Sequence, residues 1–151
     1  TPKPSSAASD VYKRQIEYGR SEMIYEEKDI ALLAVGSMVK TGEEVYGSLK
    51  RQGRFCTLVN ARFVKPIDEE MIRKLSHTHS LLVTMEENVE SGGFGERVRT
   101  FVDECGLKVC VLSIAIPDEY VEHGNVELLK QEIGIDSESI LKRIHEELGE
   151  N

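Results

Sequence analysis

Two adjacent glutamates, Glu86 and Glu87, form the pair of side chains in this sequence that is best suited to proton transfer. Two carboxylates that share a site can divide the roles of general acid and general base. The pair ends an apolar strand segment, however, and successive side chains of a strand point to opposite faces. We therefore favour a capping or interface role for the two glutamates over a shared acid–base site.

A glycine cluster follows the glutamates and consists of Gly92, Gly93 and Gly95 around a phenylalanine. These residues begin an amphipathic segment, and free backbone amides at a helix start attract phosphate, so the turn could bind an anion. Three glutamates lie within the six preceding residues and would repel a phosphate. Close packing of the turn is therefore the interpretation that we favour.

Arg62 and Lys65 are the best local pair of cations in an acidic chain. They could hold a carboxylate or a phosphate through charge-assisted hydrogen bonds. Acidic residues follow directly in the sequence, so we favour a salt bridge to Asp68, to Glu69 or to a partner surface.

Asp118 and His123 come after the last predicted strand. His123 could transfer protons or contact a substrate, because imidazole changes its protonation near neutral pH. Loop histidines are more often ordinary hydrogen-bonding residues, and we favour that role. His77, His79 and His145 lie in polar segments and are predicted to be surface residues.

Apolar segments alternate with amphipathic ones from residue 17 onward, and this alternation defines the predicted elements. The predicted strands are residues 23–25, 30–35, 55–59, 80–84 and 108–114. The predicted helices are residues 39–53, residues 67–75 with Pro66 at the start, the segment from the glycine cluster to Gly106, residues 126–133 and residues 137–148. Nearly continuous apolar strands are typical of parallel strands buried on both faces.

This strand–helix repetition predicts an α/β fold with three layers, α/β/α, because right-handed crossovers cover both faces of a parallel sheet. Only a few polar residues join the first strand to the second, too few for a parallel crossover, so the first strand should be antiparallel. The prediction is a mixed, mostly parallel five-stranded sheet. Functional residues are expected beyond the carboxyl ends of its strands.

The composition limits the classes of function. Lysine and arginine total 19 against 27 acidic residues, and the net charge of −8 disfavours binding to nucleic acid or to anionic membranes. The three cysteines form no Cys-x-x-Cys pair, so we expect a reducing cytoplasm and neither a disulfide framework nor a zinc site. No apolar run approaches the roughly 18 residues that a membrane span needs.

Residues 1–15 differ in character from the rest of the chain. They combine two prolines with small polar residues and lack apolar periodicity, so we expect them to be disordered. They also resemble a non-native segment joined to the natural sequence. The folded domain is therefore expected to cover residues 16–151.

Several motifs of nucleotide-binding and catalytic proteins are absent from the sequence. It contains no Gly-x-Gly-x-x-Gly after a strand, no P-loop, no Gly-x-Ser-x-Gly and no His-Glu-x-x-His. The first buried strand ends without acidic residues, which disfavours a phosphate-accepting receiver domain.

Five sequence segments, taken in order, resemble the C-terminal domain of the 1-deoxy-D-xylulose-5-phosphate synthase family. They are DIALLAVGSMV at residues 29–39, NARFVKPIDE at 60–69, EEN with GGFG at 86–95, IPD with EHG at 116–124, and EIGID at 132–136. The resemblance runs from about residue 17 to the end of the chain and implies the transketolase C-terminal-like fold. Ala115 departs from the glycine that the family usually has before Ile-Pro-Asp.

The resemblance implies a transferase in which this segment carries no catalytic, cofactor-binding or metal-binding residue. The complete enzyme of that family condenses pyruvate with glyceraldehyde 3-phosphate, with release of carbon dioxide, in isoprenoid precursor synthesis. Thiamine diphosphate and Mg²⁺ are bound by its upstream domains. The segment would pack against those domains, help fix a homodimer and be inactive alone.

Two alternatives stay open at this point. One is the corresponding domain of another transketolase-type or 2-oxo-acid dehydrogenase beta-type enzyme, although the run Ala-Arg-Phe-Val-Lys-Pro favours the synthase. The other is an autonomous module that binds small anions or a protein partner through the glycine turn.

Overall fold

The structure, a computed structural model, describes residues 17–118 and 126–150. Within these residues a five-stranded sheet lies between two layers of helices. The strands are β1 (Glu22–Tyr25), β2 (Asp29–Ala34), β3 (Cys56–Asn60), β4 (His79–Val89) and β5 (Cys110–Ile116). The helices are α1 (Met38–Arg51), α2 (Glu69–Ser76), α3 (Phe94–Cys105), α4 (Val126–Ile133) and α5 (Ser137–Glu147).

The strand order in the sheet is β1-β3-β2-β4-β5. β1 runs antiparallel to β3, and the other three pairs are parallel. The predicted α/β fold with a mixed, mostly parallel sheet is therefore confirmed. β1 pairs with β3 and not with β2, its neighbour in sequence, because both sides of β2 are already taken by β3 and β4.

Two hydrophobic clusters fill the space between the sheet and the helices. Leu49 of α1 and Ile144 of α5 pack on one face of the sheet, and Ile72 of α2 and Val98 of α3 pack on the other. Strand side chains alternate between the two clusters, as the period of two in an extended chain requires. The helices and the sheet thus form one packed framework that fixes the loops at the carboxyl edge of the strands.

Helix α2 begins later than the sequence predicted. Its N-cap is Asp68, whose side chain accepts the N–H of Met71 at 3.2 Å. Pro66 and Ile67 therefore lie in the preceding loop and not at the helix start. An aspartate is favoured at this position because its carboxylate satisfies an amide that the first turn leaves unpaired.

His79 is buried, so the prediction that it lies at the surface was wrong. It is the first residue of β4, where it pairs with Asp29 of β2. Its Nε2 lies 2.7 Å from Thr57 Oγ1, and its Nδ1 lies 2.9 Å from the carbonyl oxygen of Leu75. The strand thus starts before the apolar run, and the ring is held by hydrogen bonds inside the fold. His77 is exposed.

The three cysteines of the chain all have free thiols. Cys56 is buried, and Cys105 and Cys110 are exposed free thiols. Burial raises the pKa of the Cys56 thiol to about 12, so this group stays protonated at neutral pH.

None of the helices in the described part of the chain is both long and apolar enough to cross a bilayer.

Candidate functional site

Strand β4 extends to Val89, five residues beyond the end at residue 84 that the sequence predicted. Val89 pairs with Ile116 of β5, and the N–H of Glu90 donates to the Ile116 carbonyl oxygen at 2.9 Å. This pairing draws both glutamates into the strand, beyond the point at which β2 ends. Their side chains therefore point to opposite faces of the sheet.

Glu86 is fully buried on the face that α3 covers. Its Oε1 accepts the N–H of Phe94 at 2.8 Å, and its Oε2 accepts the N–H of Gly95 at 2.7 Å. The side-chain amide of Asn88 donates a third hydrogen bond to Oε1 at 3.2 Å. The carboxylate lies at the start of α3, where the helix dipole favours negative charge. The amides that could have bound a phosphate are thus occupied by a side chain of the same domain.

Gly93 and Gly95 lie where no side chain fits. A Cβ atom at Gly93 would lie 2.5 Å from Oε1 of Glu86, and a Cβ atom at Gly95 would overlap the hydroxyl oxygens of Thr84 and Ser113. The backbone of the turn therefore lies too close to the sheet to leave room for a Cβ atom at either position. This contact lets the Glu86 carboxylate reach the first amides of α3.

The turn before α3 is also fixed from its outer side. The Ser91 N–H and hydroxyl both donate to the carboxylate of Asp118, at 3.0 and 2.5 Å. These two bonds, the hydroxyl one foremost, lower the pKa of Asp118. Gly92 has a φ of 75°, a conformation that favours glycine, and its N–H donates to Glu96 Oε1 at 2.6 Å. His123 lies outside the described residues.

Glu87 lies on the opposite face and connects β4 with α4 and with the start of α1. Lys130 Nζ lies 2.6 Å from its Oε2, and the Ser37 hydroxyl also donates to its carboxylate. Burial raises the pKa of Glu87, but the hydrogen bonds from Lys130 and Ser37 outweigh that effect, and the pKa lies below its ordinary value. The ion pair lies at the carboxyl edge, beside a cavity of about 340 Å³ that Ser37 and Lys130 line.

Arg62 and Lys65 both lie in the loop between β3 and α2 but have different surroundings. Nη2 of Arg62 lies 2.9 Å from Oε1 of Glu22 on β1, a partner that the sequence did not indicate. The φ of Arg62 is 65°, which is uncommon for a residue other than glycine. Lys65 is exposed and lines a cavity of about 460 Å³ beside Arg97 of α3.

Four residues of this edge were not among the site residues predicted from the sequence. Ser37, Ser91 and Lys130 bind the predicted carboxylates from distant parts of the chain. Nε of Arg97 is buried and has no hydrogen-bond partner among the described residues. No local sequence pattern marks these four, because each becomes notable only through a neighbour that the fold supplies.

The described residues do not fit a bound magnesium diphosphate. The amides at the start of α3 are taken by Glu86. In residues 17–118 and 126–150, no three His, Cys, Asp or Glu side chains are grouped so that they could hold a metal ion. The polar groups of this edge instead hold one element of the domain against another.

Two curated proteins show what the sequence is similar to. The chain is 49% identical to the 1-deoxy-D-xylulose-5-phosphate synthase of Lachnoclostridium phytofermentans over 141 residues, which cover 91% of this chain and 22% of that protein. It is 41% identical to the synthase of the same name from Dehalococcoides mccartyi over 131 residues, with 85% and 21% covered. The chain thus spans about a fifth of the length of these relatives.

A solved structure and a family model agree on the type of domain. A structure described as a split gene transketolase, inactive beta4 tetramer, superposes with a TM-score of 0.80 at 24% identity, over 87% of this chain and 43% of that one. This likeness concerns the fold alone. The family model described as "Transketolase, C-terminal domain" matches residues 19–140. The chain therefore belongs to the transketolase C-terminal domain family.

Proposed function

We propose that this chain is the C-terminal domain of a 1-deoxy-D-xylulose-5-phosphate synthase and serves as a scaffold for the rest of that enzyme. The observation that carries the proposal is the 49% identity over 91% of the chain to a protein of which the match covers only 22%. The remaining length of such an enzyme has room for the domains that perform the chemistry.

The reaction expected of the complete enzyme joins pyruvate to glyceraldehyde 3-phosphate and releases carbon dioxide. Thiamine diphosphate, held with Mg²⁺ by the upstream domains, supplies the carbanion chemistry. The complete enzyme acts as a homodimer in the cytoplasm. This chain contributes a rigid body against which the catalytic domains pack.

The contacts at the carboxyl edge support a scaffold role. Glu86 holds α3, Glu87 holds α4 and α1, and Asp118 holds the turn before α3. Each of these carboxylates is already bound by donors from its own domain. An arrangement of this kind stabilises the loops of the edge and assigns these groups a structural role.

The same contacts disfavour the autonomous anion-binding module. A phosphate at the start of α3 would have to displace the Glu86 carboxylate from two short hydrogen bonds and then remain near other glutamates. We therefore do not retain anion binding by the glycine turn as a second function.

The chain by itself is inactive and does not bind thiamine diphosphate. The described residues offer no fit to magnesium diphosphate, because the amides at the start of α3 are taken by Glu86 and no group of three potential metal ligands is present among the described residues. Isothermal titration calorimetry of the 151-residue chain with thiamine diphosphate and Mg²⁺ is expected to show no binding heat. Binding at micromolar concentration would contradict the scaffold assignment.

A fusion enzyme tests the function directly. The matching fifth of the Lachnoclostridium phytofermentans synthase is replaced by residues 17–151 of this chain, and formation of 1-deoxy-D-xylulose 5-phosphate is measured. Activity is expected in the fusion and not in the relative that lacks its matching fifth. A folded fusion without activity, next to an active parent enzyme, would refute the proposal.

A further inference from the structure

Residues 17–21, which precede β1, contact the loop between β3 and α2 and the first turn of α2. The N–H and hydroxyl of Ser21 donate to Oδ2 of Asp68 at 2.8 and 2.9 Å. Nη2 of Arg20 lies 2.5 Å from Oε1 of Glu70. The path of the chain before β1 is therefore set by contacts with this loop.

An aromatic pair continues the same contact. The Tyr18 and Phe63 rings meet edge to face, with 5.4 Å between their centroids. The Tyr18 residue is nevertheless 73% exposed, the highest value among the exposed large hydrophobic residues in the described part of the chain. A large ring is thus held in a fixed place with most of its surface in contact with water.

The direction of β1 determines where this region lies. Glu22, at the start of β1, is opposite Asn60, at the end of β3. Because β1 is antiparallel, its first residue lies at the edge of the sheet where the parallel strands end. The described chain therefore enters β1 from this carboxyl edge.

A cavity of about 460 Å³ opens beside the same loop. Lys65 and Pro66 line it from the loop, and Arg97 lines it from α3. The buried Nε of Arg97 lacks a hydrogen-bond partner among the described residues, and an unpaired buried donor costs about 1–3 kcal/mol. Water cannot reach this Nε atom, but Arg97 lines the cavity and so presents a cationic side chain to whatever occupies it.

The charges of the cavity indicate a polypeptide as its occupant. Its lining contains two cationic side chains, those of Lys65 and Arg97. It also contains three carboxylates, those of Glu69, Glu96 and Glu104. A free phosphate would be repelled by this acidic majority. A peptide segment, with backbone carbonyl oxygens for Arg97 and apolar side chains for the adjacent rings, matches the mixed lining.

We propose that Tyr18, Phe63, Lys65, Pro66 and Arg97, here called the docking corner, bind the polypeptide that precedes residue 17 in the complete enzyme. That polypeptide folds back onto the docking corner, covers the Tyr18 ring and supplies an acceptor to Arg97. The inference rests on the proposed function, because it assigns this contact to a part of the synthase that the match to the relatives does not cover.

Hydrogen–deuterium exchange in the fusion enzyme tests the inference. Amides of residues 17–21 and 61–67 are expected to exchange at least about tenfold more slowly in the fusion than in the 151-residue chain alone. Residues 106–109, at the opposite edge of the sheet, serve as the internal reference and are expected to exchange equally in both. Equal rates at the docking corner in the two proteins would overturn the inference.

A charge reversal with a matched control sharpens the test. In the fusion, Lys65→Glu is expected to restore fast exchange at the docking corner. Lys108→Glu makes the same change at an exposed lysine on the opposite edge and is expected to have no effect. Both variants of the 151-residue chain are expected to keep the wild-type urea midpoint, which separates lost docking from lost folding.

A second measurement tests the inference if the fusion does not fold. The 151-residue chain is titrated into the relative that lacks its matching fifth, and Lys65→Glu is expected to weaken binding about tenfold relative to Lys108→Glu. Absence of binding by the wild-type chain, or equal binding by both variants, would overturn the inference.

Failure of the inference and failure of the function are distinguishable. An active fusion with an unprotected docking corner refutes the inference alone. A protected corner in an inactive fusion supports the inference and refutes the synthase function. Protection of the isolated chain by added inorganic phosphate, or by raised chain concentration, would refute the inference in favour of an anion or a second copy.

Discussion

Glu86 and Glu87 are neighbours on β4, yet they hold helices in opposite layers of the domain. Glu86 accepts two amides at the start of α3, and Glu87 forms an ion pair with Lys130 of α4. The two contacts are made by successive residues of the strand and lie on opposite sides, because side chains alternate between the faces of a sheet. The pair therefore fastens both helical layers to the carboxyl end of the same interior strand.

Glu86→Gln tests the inner contact. Glutamine has one oxygen acceptor in place of two, so its NH₂ group would face the N–H of Phe94 or of Gly95, and one buried donor would be left unpaired. We expect a loss of about 2 kcal/mol in the free energy of unfolding, measured by urea denaturation.

The control for this change is Glu90→Gln, which removes the charge of an exposed glutamate four residues away. It is expected to change the free energy of unfolding by less than about 0.5 kcal/mol. Equal effects of the two substitutions would show that the Glu86 hydrogen bonds do not stabilise the domain.

Gly95→Ala is expected to destabilise the domain by about 1–3 kcal/mol, because the added methyl group overlaps the hydroxyls of Thr84 and Ser113. Gly47→Ala is its matched counterpart within α1, where the nearest atom to a new Cβ is 3.5 Å away on the side chain of Arg51. That substitution is expected to stabilise the domain by about 0.5–1 kcal/mol through helix propensity. The free energy of unfolding of both variants is measured by thermal and urea denaturation. A change of the same sign in the two variants would contradict the packing argument.

The stability of the domain is expected to fall in mild acid because of His79. Thr57 Oγ1 accepts the N–H of Glu27 at 2.8 Å, so its own proton is directed to Nε2 of His79, which must be unprotonated to accept it. Burial lowers the pKa of His79, against the opposing effects of the Leu75 carbonyl and of nearby acidic residues. The unfolded chain therefore takes up the proton first. The stabilisation is complete above the unfolded pKa of about 6.5 and is lost as the pH falls through the folded pKa.

The slope of the free energy of unfolding against pH distinguishes the effect of His79 from that of other titratable groups. Urea midpoints of the wild type are expected to decrease between about pH 7 and 5.5, with at most about 1.4 kcal/mol lost per pH unit through His79. His79→Gln is expected to flatten that slope, whereas His77→Gln, at an exposed position, is expected to keep it. An unchanged slope in His79→Gln would assign the pH dependence elsewhere.

Glu87→Gln tests the outer contact. The pair with Lys130 is partly exposed, so solvent screening limits the expected loss of global stability to less than about 1 kcal/mol. The larger effect is expected to be local, with faster hydrogen–deuterium exchange in residues 130–133 of α4 and unchanged exchange in α3. Equal acceleration in both helices would mean that Glu87 acts on the whole fold and not on α4.

Much of the fold could be predicted from the sequence, because apolar periodicity is a local signal. The strands and helices, their alternation and the antiparallel first strand all follow from residues that are close together in the chain. The order of five short segments also indicated the family that the comparisons show. The glutamate pair was expected to face opposite sides for the same local reason.

Only the tertiary structure decided the partners of the candidate residues. Glu86 meets the amides of α3, Glu87 meets Lys130, and Arg62 meets Glu22, across separations that no local pattern encodes. His79 is buried because pairing with β2 carries β4 beyond its apolar run. The sequence by itself determined which segments must be buried, since that depends on composition and period. The fold decided which charges meet, since that depends on where long-range packing places the ends of the strands.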